Sequence, residues 1–426
     1  MENHDVRRSK PSRAPGLSLI AGAVAALTAI GLWALWPSGD PGPHVPALAS
    51  FEGVYAATTE ERTEVPCAGA DGSTRCLSVT FRLLDGPDEG TAVTVELPAN
   101  STRVVGVDPG QRVLLGHQPD VEGFEYVYLE PDRRSPLLLL AGLFALAVVA
   151  LGGWKGASAL VGLLATLLVL FLFVVPAILD GRDPLLVSLV GSGAIAFAAL
   201  YLSHGVDVKT TVALIGTLGG LLCAAILALV FMGAAEITGL ASEEALFLTA
   251  LGTDLDLRGL ILGGMMIGAL GAIDDITVTQ ASAVWELRSV DPAMSRRRLI
   301  RSGMRIGRDH VASTVNTLVL AYAGASMPLL ILFVLSDQPA GTVANGEIVA
   351  TEIVRTLVGS LGLIASVPIT TWLAVHVATP RGKRSRTTPS VPEDADDTGP
   401  EEHPIPEHRR DQWMGLLRSW RRARRR

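Results

Sequence analysis

The chain has 426 residues, of which 49% are hydrophobic and only 18% are charged. This composition is typical of a polytopic membrane protein and excludes a single soluble globular domain. The formal net charge is -7, and no basic soluble domain stands out in the sequence, so nucleic acid is excluded as a partner.

Eight apolar stretches are long enough to cross a lipid bilayer as helices, which takes about 20 residues each. They are residues 17–36, 136–154, 157–179, 184–202, 211–235, 259–279, 311–335 and 353–377. The first follows a basic segment, residues 1–16, as a signal sequence does, but its apolar run is long. We favour an uncleaved anchor, and a cleaved signal is the alternative. The second and third stretches predict a tight helical hairpin around Lys155.

Residues 50–132 are predicted to form an all-β domain inserted after the first span. Short segments rich in strand-forming residues alternate there with turns of Gly, Pro, Asn and Asp. The predicted strands are residues 51–58, 77–84, 92–97, 112–116 and 125–129. Five short strands favour a small barrel of the oligonucleotide/oligosaccharide-binding (OB) type, with a three-stranded sheet as the alternative. If this domain is extracytoplasmic, Cys67 and Cys76 are expected to form a disulfide.

Basic loops predict the orientation of the protein in the membrane. The N-terminus, Lys155, Lys209, the C-terminal tail and the loop 288–308, which holds seven arginines, all fall on one side of the predicted spans. Because basic residues are retained in the cytoplasm, both termini are predicted to be cytoplasmic and residues 37–135 extracytoplasmic.

The tail, residues 379–426, is predicted to be a disordered cytoplasmic linker that ends in a basic amphipathic helix. Trp413, Leu416 and Trp420 share one face of that helix, and arginines surround them. Such a helix is suited to bind anionic lipid of the inner leaflet, and a soluble basic tail is the alternative.

A stripe of small and polar residues runs along the sixth span and its continuation, residues 259–287. Its members recur at steps of three and four residues, so they occupy one helical face: Gly264, Gly268, Gly271, Asp275, Thr279, Ser282 and Glu286. The glycines allow close packing of another helix, within the chain or in a homo-oligomer. Asp274 adds a second acid, and carboxylates at membrane depth often mark a functional site.

The seventh span carries a second polar face. Asp309, Ser313 and Asn316 share this face, and Arg308 and His310 lie at its cytoplasmic mouth. Both faces begin at the cytoplasmic edge, so the two are predicted to meet in a polar pocket between the sixth and seventh spans. Paired carboxyl groups there indicate a proton relay or a cation site built from oxygens. The alternative is an acid pair at the interface that meets water or the arginine-rich loop.

Other chemistry is less favoured by the sequence. No Ser/His/Asp set, phosphate-binding glycine loop or Cys/His zinc motif is found, so an enzyme is the least favoured class and no cofactor or metal is identified. The segment Ser203-His204-Gly205, followed by Asp207 and Lys209, is predicted to be a capped helix junction.

Three ordered sequence blocks resemble those of a known family. They are Gly271-Ala272-Ile273-Asp274-Asp275 with Ala281-Ser282-Ala283, Gly307-Arg308-Asp309 with Asn316-Thr317-Leu318, and Ser203-His204-Gly205 with Lys209-Thr210. In these blocks the chain resembles the YibE/F-like family of bacterial multi-pass membrane proteins, over about residues 134–378. The resemblance implies a permease-like protein of the bacterial cell membrane and names no substrate. In it Asp275 matches the family's acid and Asp274 is an additional one.

The sequence therefore predicts a polytopic α-helical membrane protein, with seven of its helices in residues 136–378, that transports or exports a small solute or ion. The predicted pocket is lined by Asp274, Asp275, Thr279, Ser282, Arg308, Asp309, His310, Ser313 and Asn316. The alternative function is a membrane scaffold or sensor whose outer β-domain binds a ligand or a partner protein.

Overall fold

The computed structural model describes residues 15–38, 51–67, 75–98, 107–118, 125–250, 255–336 and 338–379. The predictions for the basic N-terminus up to residue 14, and for the lipid-binding helix of the tail, lie outside the described residues. The elements, in chain order, are α1 (Pro15–Ala34), β1 (Gly53–Pro66), β2 (Arg75–Leu83), β3 (Ala92–Pro98), β4 (Arg112–His117), β5 (Tyr126–Pro131), α2 (Arg134–Val169), a π-helical turn (Leu170–Val174), α3 (Val175–Leu179), α4 (Pro184–His204), α5 (Val208–Ala234), α6 (Glu243–Ala250), α7 (Leu257–Val290), α8 (Arg296–Ala325), α9 (Met327–Leu335), α10 (Ala340–Asn345) and α11 (Glu347–Ala378).

Among the described residues, six helices are long and apolar enough to cross a membrane, or seven if α8 and α9 form one span bent by 64°. The sequence predicts eight, and the difference lies in Arg134–Leu179, a continuous helical stretch of 46 residues. Gly153 interrupts that stretch with left-handed backbone angles, φ 56° and ψ -134°. A Cβ atom placed on Gly156 would collide with the carbonyl oxygen of Val148. In a straight helix these residues lie about 12 Å apart, so the chain turns back at Gly153 as the predicted hairpin requires.

The β-domain is a curled five-stranded antiparallel sheet with strand order β3-β2-β1-β4-β5. A bulge between Thr59 and Glu61 bends β1, and the curl brings the edge strands β3 and β5 into contact. Its core side chains point inward from alternate strand positions, and Phe81 stacks on Tyr128 with ring centroids 6.1 Å apart. A disulfide joins Cys67 to Cys76, the pair indicated by the sequence.

Three helices, α5, α7 and α11, pack against one another at the centre of the helical part. Small residues permit this close packing: the Cβ position of Gly220 on α5 lies 2.7 Å from Ser366 and 3.0 Å from the carbonyl oxygen of Gly362, both on α11. Helices α4 and α8 flank the centre, α2 packs on α4, and α1 contacts α4 and α5. The predicted stripe therefore lies on a helix, α7, that belongs to the central group, whereas the second predicted polar face lies on the flanking helix α8.

Hydrogen bonds tie helix ends together in two layers. On one side, the amide and hydroxyl of Ser38, after α1, donate to Asp180, before α4, at 3.1 and 2.6 Å. The amides of Thr238 and Gly239, after α5, donate to Glu347 at the start of α11, at 2.8 and 2.7 Å.

At the opposite side, Arg296 at the start of α8 donates to the hydroxyl and carbonyl of Thr379, after α11, at 2.8 and 2.5 Å. At the level of Ser38 and Asp180, the first turns of α4 and α7 also pack together, since Pro184 lies 3.3 Å from the Cβ position of Gly259. Helix ends of alternating direction thus gather at two opposite levels, as spans of one bundle must.

Candidate functional site

The two faces of α7 are buried to different extents. Met266, Leu270, Ile273, Thr277 and Gln280 are buried against the neighbouring helices. The predicted stripe lies on the opposite face: its members are exposed apart from Thr279, which is half-buried. A Cβ atom added at Gly264 or Gly271 would find no atom of the described residues within 4 Å. The stripe is therefore turned away from the centre of the bundle.

Helix packing within the chain, one of the two predicted roles of the glycine strip, is seen only at Gly268. The hydroxyl of Tyr322 on α8 lies 3.1 Å from the Cβ position of Gly268. Among the described residues, no other helix comes within 4 Å of the Cβ positions of Gly264 and Gly271, so no crossing helix is seen there. Packing between copies, the other predicted role, stays a prediction.

The predicted polar face of α8 also points outward. Asp309, Ser313 and Asn316 are exposed, Arg308 is exposed and His310 is half-buried. The side chains that pack on α7 and its neighbours are apolar, and they include Val311, Val315 and Leu318. At about 100° per residue, these valines and this leucine lie about 160° around the helix from Asp309, Ser313 and Asn316.

The structure does not bring the two predicted acidic faces together. Within the described residues, no hydrogen bond or ion pair joins Asp274 or Asp275 to Asp309, His310, Ser313 or Asn316. At the level of the acid pair the interface between α7 and α8 is apolar, with Ile273 and Ile276 of α7 packed against α8 side chains. The connecting loop predicts a matching depth for the two faces, but depth alone does not fix the rotation of a helix about its axis.

Asp274 is directed differently from Asp275, because adjacent residues on a helix differ by about 100°. Its Oδ1 atom is buried and has no hydrogen-bond partner among the described residues. Thr217 of α5 lies beside its carboxyl group. The hydroxyl of Thr217 shares a 2.6 Å hydrogen bond with that of Thr277, which also lies 2.9 Å from the carbonyl oxygen of Asp274. Both threonines are fully buried, so this cluster is sealed between α5 and α7.

Gln280 is the second polar side chain on the buried face of α7. It is only 2% exposed. Its Nε2 atom donates to the carbonyl of Gly303 on α8 at 2.9 Å and to the hydroxyl of Thr371 on α11 at 2.7 Å. One side chain thereby connects three helices, which is the structural use of amides in membrane bundles.

A cavity of 480 Å³ lies at the level of the α4–α5 junction and the α2 hairpin, and we call it the inner cavity. It is lined by Trp154, Lys155, Ser158, Leu202, Ser203, His204, Gly205, Asp207, Lys209, Thr210, Ala213, Val278, Ala281 and Ser282. Val278 is one helical turn from Asp274, so the inner cavity ends about 6 Å along α7 from the acid pair.

The junction between α4 and α5 is capped as the sequence predicts. Asp207 is the N-cap of α5 and accepts hydrogen bonds from the amides of Lys209 and Thr210. His204, at the end of α4, interacts electrostatically with Lys155, Asp275 and Asp207. The junction is thus both a helix cap and one wall of the inner cavity.

The comparisons with known proteins identify the family. A family model described as YibE/F-like protein matches residues 140–380 of the chain. The chain belongs to the YibE/F-like family. A comparison with curated proteins and another with solved structures gave no match. The matched residues of this YibE/F-like protein contain the acid pair, the buried threonines and the inner cavity, whereas the β-domain precedes them.

Several residues of the site were not among the predicted site residues. Thr217, Thr277 and Gln280 are polar residues in apolar stretches, and their spacing relative to the stripe gives no sign of their burial. The sequence assigns other roles to three lining residues. Lys155 and Lys209 predict the orientation in the membrane, and His204 and Lys209 belong to the predicted helix junction. Their common location at the predicted cytoplasmic ends of the spans is the signal in the sequence for a shared cavity.

Proposed function

We propose that this YibE/F-like protein is a transporter that moves a small solute or ion across the bacterial cell membrane, with Asp274 and Asp275 on its route. In the proposed topology the chain crosses the membrane eight times, both termini are cytoplasmic and the β-domain, as an OB-like barrel, is outside. The reversal at Gly153 supports the eighth crossing, since it divides residues 134–179 into two segments of spanning length. The hydrogen bonds between helix ends at two opposite levels support successive spans that run in alternating directions.

The observation that carries the proposal is the buried, unpartnered oxygen of Asp274, one turn from the inner cavity. An uncompensated carboxyl group in a membrane helix costs several kcal/mol and is usually retained for ion or proton movement. The proposed route starts in the inner cavity, on the side that is cytoplasmic in the proposed topology, and reaches this group one helical turn farther along α7.

The hydroxyl pair beside Asp274 suits a group that gains and loses a proton. Each threonine hydroxyl has a single hydrogen to donate. When the carboxyl group is ionised, Thr217 donates to it and accepts from Thr277. When the carboxyl group is protonated, it donates to Thr217, and Thr277 donates to the carbonyl oxygen of Asp274. In both states the threonine hydroxyl groups rotate and stay hydrogen-bonded to each other, and Thr217 is the hydroxyl that lies beside the carboxyl group.

This route differs from the pocket predicted by the sequence. It runs between α5 and α7, and it leaves out Asp309, Ser313 and Asn316, which lie on the far side of α8. Of the predicted residues Thr279 and Ser282, Ser282 lines the inner cavity and Thr279 does not.

A second function, a membrane scaffold or sensor, is favoured by the exposed polar faces of α7 and α8. Side chains such as Asp275, Asp309 and Asn316 are expensive to leave in contact with lipid and are suited to a partner helix. In this alternative the spans and the β-domain bind a partner protein, and Asp274 has no transport role.

Proton movement into proteoliposomes tests the two functions. A trapped pH dye reports the rate when gradients of sodium, potassium, magnesium or phosphate are imposed in turn. We expect the wild type to move protons under at least one gradient, D274N to lose that movement and D309N to keep it. Wild-type rates in D274N, or no proton movement by the wild type under any of these gradients, would overturn the transport proposal in favour of the scaffold.

A further inference from the structure

The inner cavity has the size and lining of a ligand site. Its 480 Å³ fall within the range of about 300 to 1,000 Å³ that small-molecule pockets occupy. Four separate parts of the chain form its walls: the α2 hairpin, the end of α4, the start of α5 and α7. A cavity built from several rigid helix ends is held open by the packing of the bundle itself.

The charged groups of the inner cavity favour an anion. Lys155 comes from the α2 hairpin and Lys209 from the first turn of α5, so two cations reach the cavity from different walls. The one carboxylate of the lining, Asp207, is engaged by the amides of the α5 N-terminus. The two lysines and this aspartate leave the lining with one net positive charge, and His204 adds a second when it is protonated.

Hydrogen-bond donors complete the lining. The side chains of Ser203, Thr210 and Ser282 contribute hydroxyl groups, and Trp154 contributes an indole N–H group. Ammonium and hydroxyl groups around a common space are suited to the oxygens of a phosphate group, for which lysine is a common ligand. A metal cation is disfavoured, since the described residues contain no cluster of three or more His, Cys, Asp or Glu side chains able to hold one.

We propose that the inner cavity binds a phosphate-bearing anion between Lys155 and Lys209. This inference deepens the proposed function and rests on it, because it gives the chemical class of the solute that enters the route toward Asp274. The phosphate group belongs either to a soluble anion or to the headgroup of an anionic phospholipid, since the cavity lies at the ends of spans beside the exposed Trp154.

Binding of inorganic phosphate to the full chain tests the proposal. The protein is placed in nanodiscs of zwitterionic lipid, and radiolabelled phosphate is titrated. We expect saturable binding, at least tenfold weaker binding in K155Q and in K209Q, and none in the double variant. The charge-conserving pair K155R and K209R is expected to keep most of the affinity. The matched control is R297Q, which removes an exposed charge in the first turn of α8, outside the cavity lining.

The lipid source is distinguished by repeating the titration in nanodiscs that contain phosphatidylglycerol. If the headgroup is the ligand, the lipid competes with phosphate and is enriched around the wild type but not around the double variant. If the ligand is soluble, phosphate affinity is unchanged by the lipid. Undiminished phosphate binding in the double variant overturns the proposal. So does a wild type that binds no phosphate in the first nanodiscs and enriches no anionic lipid in the second.

Failure of this inference and failure of the transport function give different results. Phosphate binding that survives in D274N while proton movement is lost in that variant supports both proposals. Proton movement by a protein that binds neither phosphate nor anionic lipid removes only the inference. Phosphate binding without any proton movement keeps the site but removes the transporter.

Discussion

The two faces of α7 carry polar residues in similar numbers but occupy different surroundings. One face holds Thr277 and Gln280 in contact with three other helices, and Asp274 lies at its edge. The other face holds the regular stripe from Gly264 to Glu286, which points out of the bundle. The regular stripe is easily recognised in the sequence, whereas the fold buries the polar residues of the other face, which follow no regular spacing. In a membrane helix, a polar stripe therefore does not by itself identify the packed face.

The largest expected effect comes from two adjacent glycines. The Cβ position of Gly263 lies 2.9 Å from the Cβ of Ser188 on α4, whereas that of Gly264 has no atom of the described part of the chain within 4 Å. G263V should lower the free energy of unfolding by about 2 kcal/mol through overpacking, and G264V should leave it unchanged. Denaturation in detergent measures both. Equal losses in the two variants would show that Gly264 is covered, for instance by a second copy of the chain.

The next effect concerns Gln280 and Ser282, which lie on opposite sides of α7. Q280L removes hydrogen bonds to Gly303 and Thr371 and should destabilise the protein by about 1 to 2 kcal/mol. S282L replaces an exposed hydroxyl and should have no measurable effect on the melting temperature in detergent. If S282L proves as damaging as Q280L, the outer face is packed and the comparison of the two faces is wrong.

Replacement of the two acids is expected to change the free energy of unfolding by different amounts. Asp274 has a buried oxygen without a partner, so D274N should raise the free energy of unfolding at neutral pH by about 1 kcal/mol. D275N removes an exposed charge and should change it little. Chemical denaturation of both variants in the same detergent gives the comparison. Strong destabilisation by D274N would contradict an uncompensated carboxyl group and would indicate a bound cation.

The smallest expected effect is a difference in stability between variants of two threonines, Thr277 and Thr279, that make the same local hydrogen bond. The hydroxyls of Thr277 and Thr279 each donate to the carbonyl oxygen three or four residues earlier, at 2.9 Å. Only Thr277 also bonds to Thr217 on another helix. T277V should therefore cost about 0.6 kcal/mol more than T279V, which is the average for a hydrogen bond between membrane helices. Equal costs in a set of replicate unfolding curves would mean that the contact with Thr217 contributes nothing.

Much of the fold follows from the sequence. The apolar stretches correspond to the long helices, the hairpin near Lys155 is present, and residues 50–132 contain five strands. Strand β1 runs to Pro66, well past its predicted end at residue 58, because the charged segment from Glu60 to Glu64 is the exposed half of a ribbon paired with β2. Charged residues weakened the strand signal there, although an exposed ribbon tolerates them.

The rotation of each membrane helix was not predictable from the sequence. In water, the apolar face of a helix must be the buried one, but in a bilayer both lipid and protein accept apolar side chains. Periodicity thus located the stripe of α7 and the polar face of α8 without showing which neighbours they meet. Asp274 illustrates the limit: its buried surroundings depend on Thr217, some 60 residues earlier in the chain, and no local pattern links the two.

The bend between α8 and α9 affects the thickness of the bilayer that these two helices can cross together. The apolar part of α8, residues 311–325, is about 22 Å long at 1.5 Å per residue. The nine residues of α9, tilted by 64° from that axis, add about 6 Å of depth. The resulting 28 Å is slightly less than a typical hydrocarbon thickness of about 30 Å. Where α8 and α9 form one span, a change in the angle at Ser326 alters this depth, and no buried residue of α9 opposes it, so this corner of the bundle can adjust to hydrophobic mismatch.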